Sequence, residues 1–207
     1  MPTQEIVLYR GLASRAIIAL WMLEELGVAY RSEMVEGPVV SRSPELLRLN
    51  PSGKLPALVD GDVVVSENPA ICIYLADRYG YGTLAPRIED PDRGAWLKWL
   101  VYSTAVLEPA RELQASRIVA PRNGWGVGWP ALDVVVRELV GALQGRDFLL
   151  GDRFTAADIP LGATISIGLF CELLPREPVL VAYSDRLNAR PAWRRASALN
   201  WPAEVDG

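Results

Sequence analysis

The sequence contains no histidine among its 207 residues. This absence excludes the Ser-His-Asp and Cys-His classes of hydrolase, histidine general bases, and most zinc and non-haem iron sites. Only two cysteines occur, Cys72 and Cys171, and they form neither a CxxC pair nor a disulfide framework, which is typical of a reducing compartment. We expect both thiols to be buried as small hydrophobic groups. No metal site is predicted, and the reactive group is expected to come from a ligand.

An excess of positive charge and long apolar runs are also missing. The chain carries 21 Lys and Arg against 25 Asp and Glu, a formal net charge of −4, so it offers no basic surface for nucleic acid or an anionic membrane. No run approaches the roughly 18 apolar residues of a membrane helix, and the first ten residues lack a signal-peptide pattern. We therefore expect a soluble, cytoplasmic protein that binds neither nucleic acid nor membrane. Half of the residues are hydrophobic, which is ample for a packed core.

The first eighty residues predict one sheet with helices packed on it. Short apolar or β-branched runs predict strands, and a hairpin is indicated by an Asp-Gly turn between two of them. The predicted elements are a strand at 6–9, a helix at 15–26, a strand at 29–35, a short helix or irregular turns at 44–49, a hairpin at 57–65 and a helix from 66 to 79.

From Gly80 the apolar spacing becomes helical and no strand pattern recurs. The helical candidates are 93–119, 130–144, 155–174 and 179–200, the last broken at Pro191. We predict an α/β domain over residues 1–82, a linker at 83–90 and an all-helical bundle over 91–207. Thr155 and Asp158 have the spacing of a capping box, so their role is predicted to be structural.

Three stretches of the chain carry a resemblance to a known family. They read NPSGKLPAL at 50–58, SENPAICIYL at 66–75 and LGDRFTAADI at 150–159. In this order and at these separations they resemble the cytosolic glutathione transferase family, over essentially the whole chain. The resemblance implies a thioredoxin-like N-terminal domain that binds glutathione, an all-α C-terminal domain that forms the pocket for a second substrate, and a homodimer.

The resemblance also implies a set of glutathione-binding residues on the first domain. Leu55-Pro56 matches a cis-proline turn that presents the backbone of Leu55 to the peptide ligand as an added strand. The turn at Glu67 and Asn68 would hold the γ-glutamyl end, because a helix N-terminus favours a carboxylate and Glu67 can accept from an ammonium. The family usually has Ser or Thr where this chain has Asn68. Lys54 either pairs with the glycyl carboxylate or is an ordinary solvated loop residue.

Ser14 is our candidate for the catalytic hydroxyl. The thiolate of glutathione is the nucleophile, and a hydroxyl donor at a helix N-terminus stabilises it. Two alternatives stay open, because Ser at this position is often only an N-cap and because Tyr9 is a competing phenol donor at the end of the first strand.

The sequence therefore predicts a glutathione transferase that conjugates glutathione to an electrophilic, hydrophobic small molecule, as in detoxification. One alternative is a glutathione-binding or interaction protein of the same fold that lacks transferase activity. Another is a glutathione-dependent peroxidase, isomerase or dehalogenase. Fold alone does not decide between them.

Overall fold

The computed structural model describes residues 5–35, 43–116 and 127–202. Secondary structure in these ranges follows the predicted order, with helix boundaries displaced by a few residues. The elements are β1 (Ile6–Arg10), α1 (Ile17–Leu26), β2 (Tyr30–Met34), α2 (Pro44–Leu49), β3 (Ala57–Asp60), β4 (Val63–Ser66), α3 (Asn68–Tyr79), α4 (Arg93–Tyr102), a π-helical turn (Ser103–Leu107), α5 (Glu108–Ala115), α6 (Leu132–Leu143), α7 (Asp158–Phe170), α8 (Pro178–Asn188) and α9 (Pro191–Asn200).

The chain forms two compact units, one of residues 1–80 with 190–207 and the other of residues 81–189. The four strands lie in the first unit and the second is helical, which confirms the predicted fold class. The predicted helix at 93–119 is divided by the π-helical turn, and residues 117–119 lie outside the described ranges.

The sheet of the first unit has the strand order β2-β1-β3-β4. Strand β1 runs parallel to β2 and antiparallel to β3, and β3 is antiparallel to β4. Tyr9 pairs with Ala57, and Ala57 pairs with Ser66. Because these registers align the strand ends, the chain leaving β1, the chain entering β3 and the chain leaving β4 meet at one edge of the sheet.

Helix α1 is buried on all sides in the first unit. Every residue from Ile17 to Leu23 is buried, because α1 contacts both α3 and α9. Trp21 and Trp193 of α9 pack edge to face with ring centroids 4.9 Å apart. Arg190 donates to both carboxylate oxygens of Glu25, at 2.6 and 2.8 Å. The predicted helical domain included α9, whereas the structure groups this helix with the first unit.

Helix α7 is buried along most of its length in the helical unit. As predicted, Thr155 and Asp158 form a capping turn at its start. The Thr155 N–H donates to Asp158 Oδ2 at 2.9 Å, and Thr155 Oγ1 accepts from the Ala157 N–H. Asp158 Oδ1 also accepts from the Leu149 N–H and the Tyr183 hydroxyl, each at 2.9 Å. Burial raises the pKa of Asp158 to about 6.

The two cysteines differ from each other in the structure. Cys72 is buried, as predicted, and burial raises the pKa of its thiol. The prediction for Cys171 is wrong, because this residue is exposed. The physical reason is that α7 ends at Phe170, so that Cys171 follows the helix as its C-cap and leaves the buried face. None of the helices in the described ranges has the length and apolarity needed to cross a bilayer.

Replacing Asp158 with Asn is expected to destabilise the protein by about 2–3 kcal/mol at neutral pH. An amide keeps one acceptor oxygen but turns its NH2 toward groups that themselves donate, which leaves buried donors unpaired. Urea unfolding measures the change, and Asp152→Asn is the matched control because Asp152 is exposed. Equal effects of the two substitutions would contradict the buried network.

The stability advantage of the native chain over Asp158→Asn is expected to depend on pH. The folded pKa of Asp158, about 6, is raised above the unfolded value of 3.8. Its contribution to stability is therefore fully present below pH 3.8 and is lost as the pH rises through about 6. Between pH 4 and 7 the difference in unfolding free energy should narrow by roughly 2–3 kcal/mol. Urea titrations of both proteins check this. A difference that widens as the pH rises would show that the hydrogen bonds donated to the Asp158 carboxylate lower its pKa by more than burial raises it.

Candidate active site

The edge of the sheet where β1, β3 and β4 end brings most of the predicted site residues together. Ser14 lies in the turn after β1, Leu55 and Pro56 precede β3, and Glu67 and Asn68 follow β4. A Cβ placed on Gly11 would lie 3.4 Å from Leu55 Cδ1 and 3.9 Å from Ser14 Cβ, which are ordinary van der Waals distances. The β1–α1 turn and the loop before β3 therefore lie against each other at this edge.

Ser14 occupies the turn that precedes α1. Its hydroxyl donates to the Gly11 carbonyl at 2.8 Å and accepts from the Ala16 N–H at 3.3 Å. The second bond lies within the turn that precedes the helix. The N-cap of α1 is Ala16, without a side-chain capping bond, so Ser14 is not its N-cap. The hydroxyl is half-buried, and its one proton is held by a neutral carbonyl. A thiolate is a stronger acceptor than that carbonyl, and the proton can turn to it.

Tyr9, the alternative donor, has a different partner. Its hydroxyl donates to Glu45 Oε1 at 2.8 Å. Partial burial, followed by this hydrogen bond and the negative charge of Glu45, raises the pKa of the Tyr9 phenol. A phenol that already donates to a carboxylate and holds its proton more tightly is poorly placed to stabilise a second anion. The geometry favours Ser14 over Tyr9.

The loop before β3 presents the backbone of Leu55. The Leu55-Pro56 peptide bond is cis, as predicted. Neither the N–H nor the C=O of Leu55 has a hydrogen-bond partner among the residues that the structure describes. Lys54 is exposed in this loop, and its own backbone is held by Asn50, whose amide donates to the Lys54 carbonyl at 2.9 Å.

Glu67 alone joins β4 to α3, because the strand ends at Ser66 and the helix begins at Asn68. One residue must reverse the chain, and Glu67 does so with φ 70° and ψ 120°. A residue with a side chain rarely adopts this conformation, which costs on the order of 1–3 kcal/mol and is common at functional sites. The side chain of Glu67 is exposed.

Asn68 ties the starts of α1 and α3 together. Its Nδ2 donates to the Arg15 carbonyl at 3.1 Å. The side chain is buried, with 6% exposure, and its Oδ1 has no partner among the described residues. Because Pro69 lacks an N–H, the first turn of α3 offers the N–H groups of Asn68 and Ala70. This end of α3 is therefore rich in hydrogen-bonding groups and carries the positive end of the helix dipole.

Several contributions to this site were not predicted from the sequence. Asn50 folds the loop by bonding both Lys54 and Ser52; the Asn-Pro-Ser-Gly run signals a turn but not these partners. Helix α9 also holds the β1–α1 turn, because the Ala13 N–H donates to the Asn200 carbonyl at 2.9 Å. No local signal predicts this second contact, since the two residues are far apart in the chain.

Comparison with known proteins agrees with this geometry. Residues 15–78 match the family model of the glutathione S-transferase N-terminal domain. Glutathione S-transferase F9 of Arabidopsis thaliana is 30% identical over 203 residues, which cover 87% of this chain and 90% of the relative. The chain belongs to the glutathione S-transferase family. Glutathione S-transferase D7 of Drosophila melanogaster is 33% identical, over 74% of this chain and 69% of its own length.

Solved structures of the glutathione S-transferase family share the fold. The theta class enzyme of Xanthomonas axonopodis pv. citri, determined with glutathione bound, is 32% identical to this chain. The two structures superpose with a TM-score of 0.71, over 93% of this chain and 97% of that chain. The α/β unit is thus the thioredoxin-like domain of the family, and the helical unit is its all-α domain.

We expect Glu67→Gly to be more stable than Glu67→Ala by about 1 kcal/mol. Both substitutions remove the carboxylate, but only glycine adopts positive φ without a steric penalty. Urea unfolding of the two variants measures the difference. At Glu112, an exposed residue inside α5, the same pair should show the opposite order, because alanine is the better helix former. If the alanine variant at position 67 were as stable as the glycine variant, the positive φ of Glu67 would carry no backbone strain.

Proposed function

We propose that this chain is a glutathione transferase that binds glutathione at the sheet edge and conjugates its sulfur to a small hydrophobic electrophile. Membership of the family and the unpaired backbone of Leu55 beside Ser14 support the proposal. In it, the γ-glutamyl-cysteinyl backbone pairs with Leu55 as an added strand. The γ-glutamyl carboxylate lies at the first turn of α3, and Glu67 accepts from its ammonium.

The proposed role of Asn68 rests on its position at the helix start and on the second hydrogen of its amide. With one amide hydrogen donated to Arg15, the group retains a second hydrogen for a carboxylate. This is the donor that a Ser or Thr hydroxyl would supply. Lys54 supplies a point charge for the glycyl carboxylate at the other end of the ligand.

Ser14 is proposed to lower the pKa of the bound thiol. A free thiol has a pKa of about 8.5 and is only about 3% ionised at pH 7. A shift of about 2 units makes the thiolate the major form and takes about 2.7 kcal/mol. One hydroxyl donor at the start of α1 can provide a share of this energy, and the helix dipole adds to it. The thiolate then attacks the electrophile held by the helical unit.

We further propose a cytoplasmic homodimer that acts in detoxification, as the family resemblance implies. The edge strand β4 supports self-association, because its Val63 and Val64 are 40% and 44% exposed. An open, apolar strand edge is normally covered by a partner.

Ser14→Ala is expected to raise the pKa of bound glutathione by about 1–2 units and to lower conjugation of an aryl halide at pH 7 by 10- to 100-fold. Ultraviolet absorbance of the thiolate as a function of pH measures the first effect, and initial rates measure the second. Ser14→Thr keeps a hydroxyl and should retain most of the activity. Thermal unfolding of each variant controls for loss of the two hydrogen bonds that the Ser14 hydroxyl makes in this turn.

Tyr9→Phe is the matched variant for the competing donor, and it should leave the thiol pKa unchanged. A collapse of turnover in Tyr9→Phe with survival in Ser14→Ala would show that the phenol is the donor. If calorimetry finds tight glutathione binding and the native protein conjugates no electrophile, the chain is a glutathione-binding protein instead.

A further inference from the structure

The last turn of α9 is bonded to the end of β1 and to the turn between β1 and α1. The final carbonyl groups of a helix have no partners inside that helix. In α9, the Leu199 carbonyl accepts from Arg10 Nη1 at 3.0 Å. The Asn200 carbonyl accepts from the Ala13 N–H at 2.9 Å. The C-terminal end of α9 is therefore held at two points on this short segment of the first unit.

Arg10 links the sheet to the end of α9. It is the last residue of β1 and is largely removed from solvent, with 8% exposure. Its Nε donates to the Ser32 hydroxyl on the neighbouring strand β2, while its Nη1 donates to the Leu199 carbonyl. The planar guanidinium suits this use, because its nitrogens donate in two directions at once. Its positive charge is also favoured by the dipole at a helix C-terminus.

Ala13 has a conformation that alanine rarely adopts. Its φ is 46°, in the left-handed region, where the Cβ atom crowds the following carbonyl oxygen. Such a conformation costs free energy and persists only where the surrounding structure holds it. The hydrogen bond from the Ala13 N–H to the Asn200 carbonyl opposes its relaxation.

Ser14 directly follows Ala13, so the direction of its side chain depends on the conformation of that residue. The Ser14 hydroxyl donates to the Gly11 carbonyl across the same turn at 2.8 Å. A change of Ala13 to negative φ would open the turn and move the hydroxyl. The placement of the proposed thiol donor therefore depends on a helix near the other end of the chain.

The first half of α9 is fixed to α1 independently of this turn. Arg190, directly before α9, donates to both carboxylate oxygens of Glu25 near the end of α1. Arg195 donates to the side chain and the carbonyl of Glu24. The two helices thus run in opposite directions, and the end of α9 meets the start of α1 as an anchored group.

We propose that Arg10 is a positioning residue for the reaction. It secures the end of α9 against β1, which keeps Ala13 in its left-handed conformation and keeps the Ser14 hydroxyl within reach of the sulfur of glutathione. This inference rests on the proposed function, because it gives a role in thiol ionisation to a residue that acts through Ser14 and not on the sulfur itself.

Arg10→Met tests this role at the thiol, because its neutral side chain can donate to neither Ser32 nor Leu199. The pKa of bound glutathione, followed by the ultraviolet absorbance of the thiolate, should rise by about 1, from about 6.5 to about 7.5. The loss of kcat with an aryl halide should then be about eightfold at pH 6, about threefold at pH 7 and negligible above pH 8. The KM for glutathione should change less than twofold, since the groups proposed to bind the peptide lie on other segments.

Two further variants separate this role from a general loosening of α9. Arg10→Lys keeps a cation that can reach one of the two acceptors, so it should restore about half of the change in thiol pKa. Arg195→Met makes the same substitution at the other end of the contact between α9 and α1, and it should leave the thiol pKa unchanged. An equal change in Arg195→Met, or a loss of kcat in Arg10→Met that is the same at every pH, would overturn the proposal.

The strain at Ala13 provides a second test. Glycine adopts positive φ without a steric penalty, so an Ala13→Gly chain needs the support of α9 less. Arg10→Met should therefore raise the thiol pKa less than half as much in the Ala13→Gly chain as in the native chain, and a double-mutant cycle measures this coupling. Equal changes in both chains would show that Ala13 does not transmit the effect.

Amide hydrogen exchange of the free protein gives a measurement that needs no glutathione. Arg10→Met should speed exchange of the Ala13 N–H about tenfold, and Arg195→Met should not. If Arg10→Met does not fold, Ser32→Ala takes its place, because it removes one of the two bonds of Arg10 and should speed the same exchange to a smaller extent. Unchanged exchange would overturn the proposed link between Arg10 and the turn.

The two proposals fail in different ways. If no electrophile is conjugated but Arg10→Met still raises the pKa of bound glutathione, the transferase function is wrong and the positioning role stands. If the native protein conjugates an electrophile and Ser14→Ala lowers the rate while Arg10→Met does not, the transferase function stands and the role of Arg10 is wrong.

Discussion

The unpaired backbone at one edge of the four-stranded sheet is the constraint on which the candidate site depends. Strand β3 lies antiparallel to both β1 and β4, so three chain segments arrive at that edge together. Each segment leaves hydrogen-bonding groups that strands and helices do not use. Because these groups belong to the main chain, a change of side chain does not by itself remove them.

Helix α1 connects this edge to the rest of the first unit. Its start carries Ser14 in the preceding turn, while its body is enclosed by α3 and α9. The ion pair between Arg190 and Glu25 is bidentate and largely shielded from solvent, so it resists screening better than a surface pair. An enclosed helix thus follows directly on the turn in which the Ser14 hydroxyl lies.

The charged side chains of the helical unit differ in whether hydrogen bonds within the described residues satisfy them. Lys98, Glu138 and the Tyr102 hydroxyl satisfy one another at the surface of α4 and α6. Arg111, by contrast, is 7% exposed, and its Nε has no hydrogen-bond partner among the described residues.

Local patterns determined much of this protein from the sequence alone. The βαβ order, the hairpin at 57–65, the capping turn of Thr155 and Asp158, and the stretches at 50–58 and 66–75 all act over a few residues, so the sequence displays them directly. Tertiary structure alone decided the packing of α9 on α1, the partner of Tyr9, the exposure of Cys171 and the burial of Arg111. Each of these depends on which distant segment lies nearby, and residue spacing within one element carries no information about that neighbour.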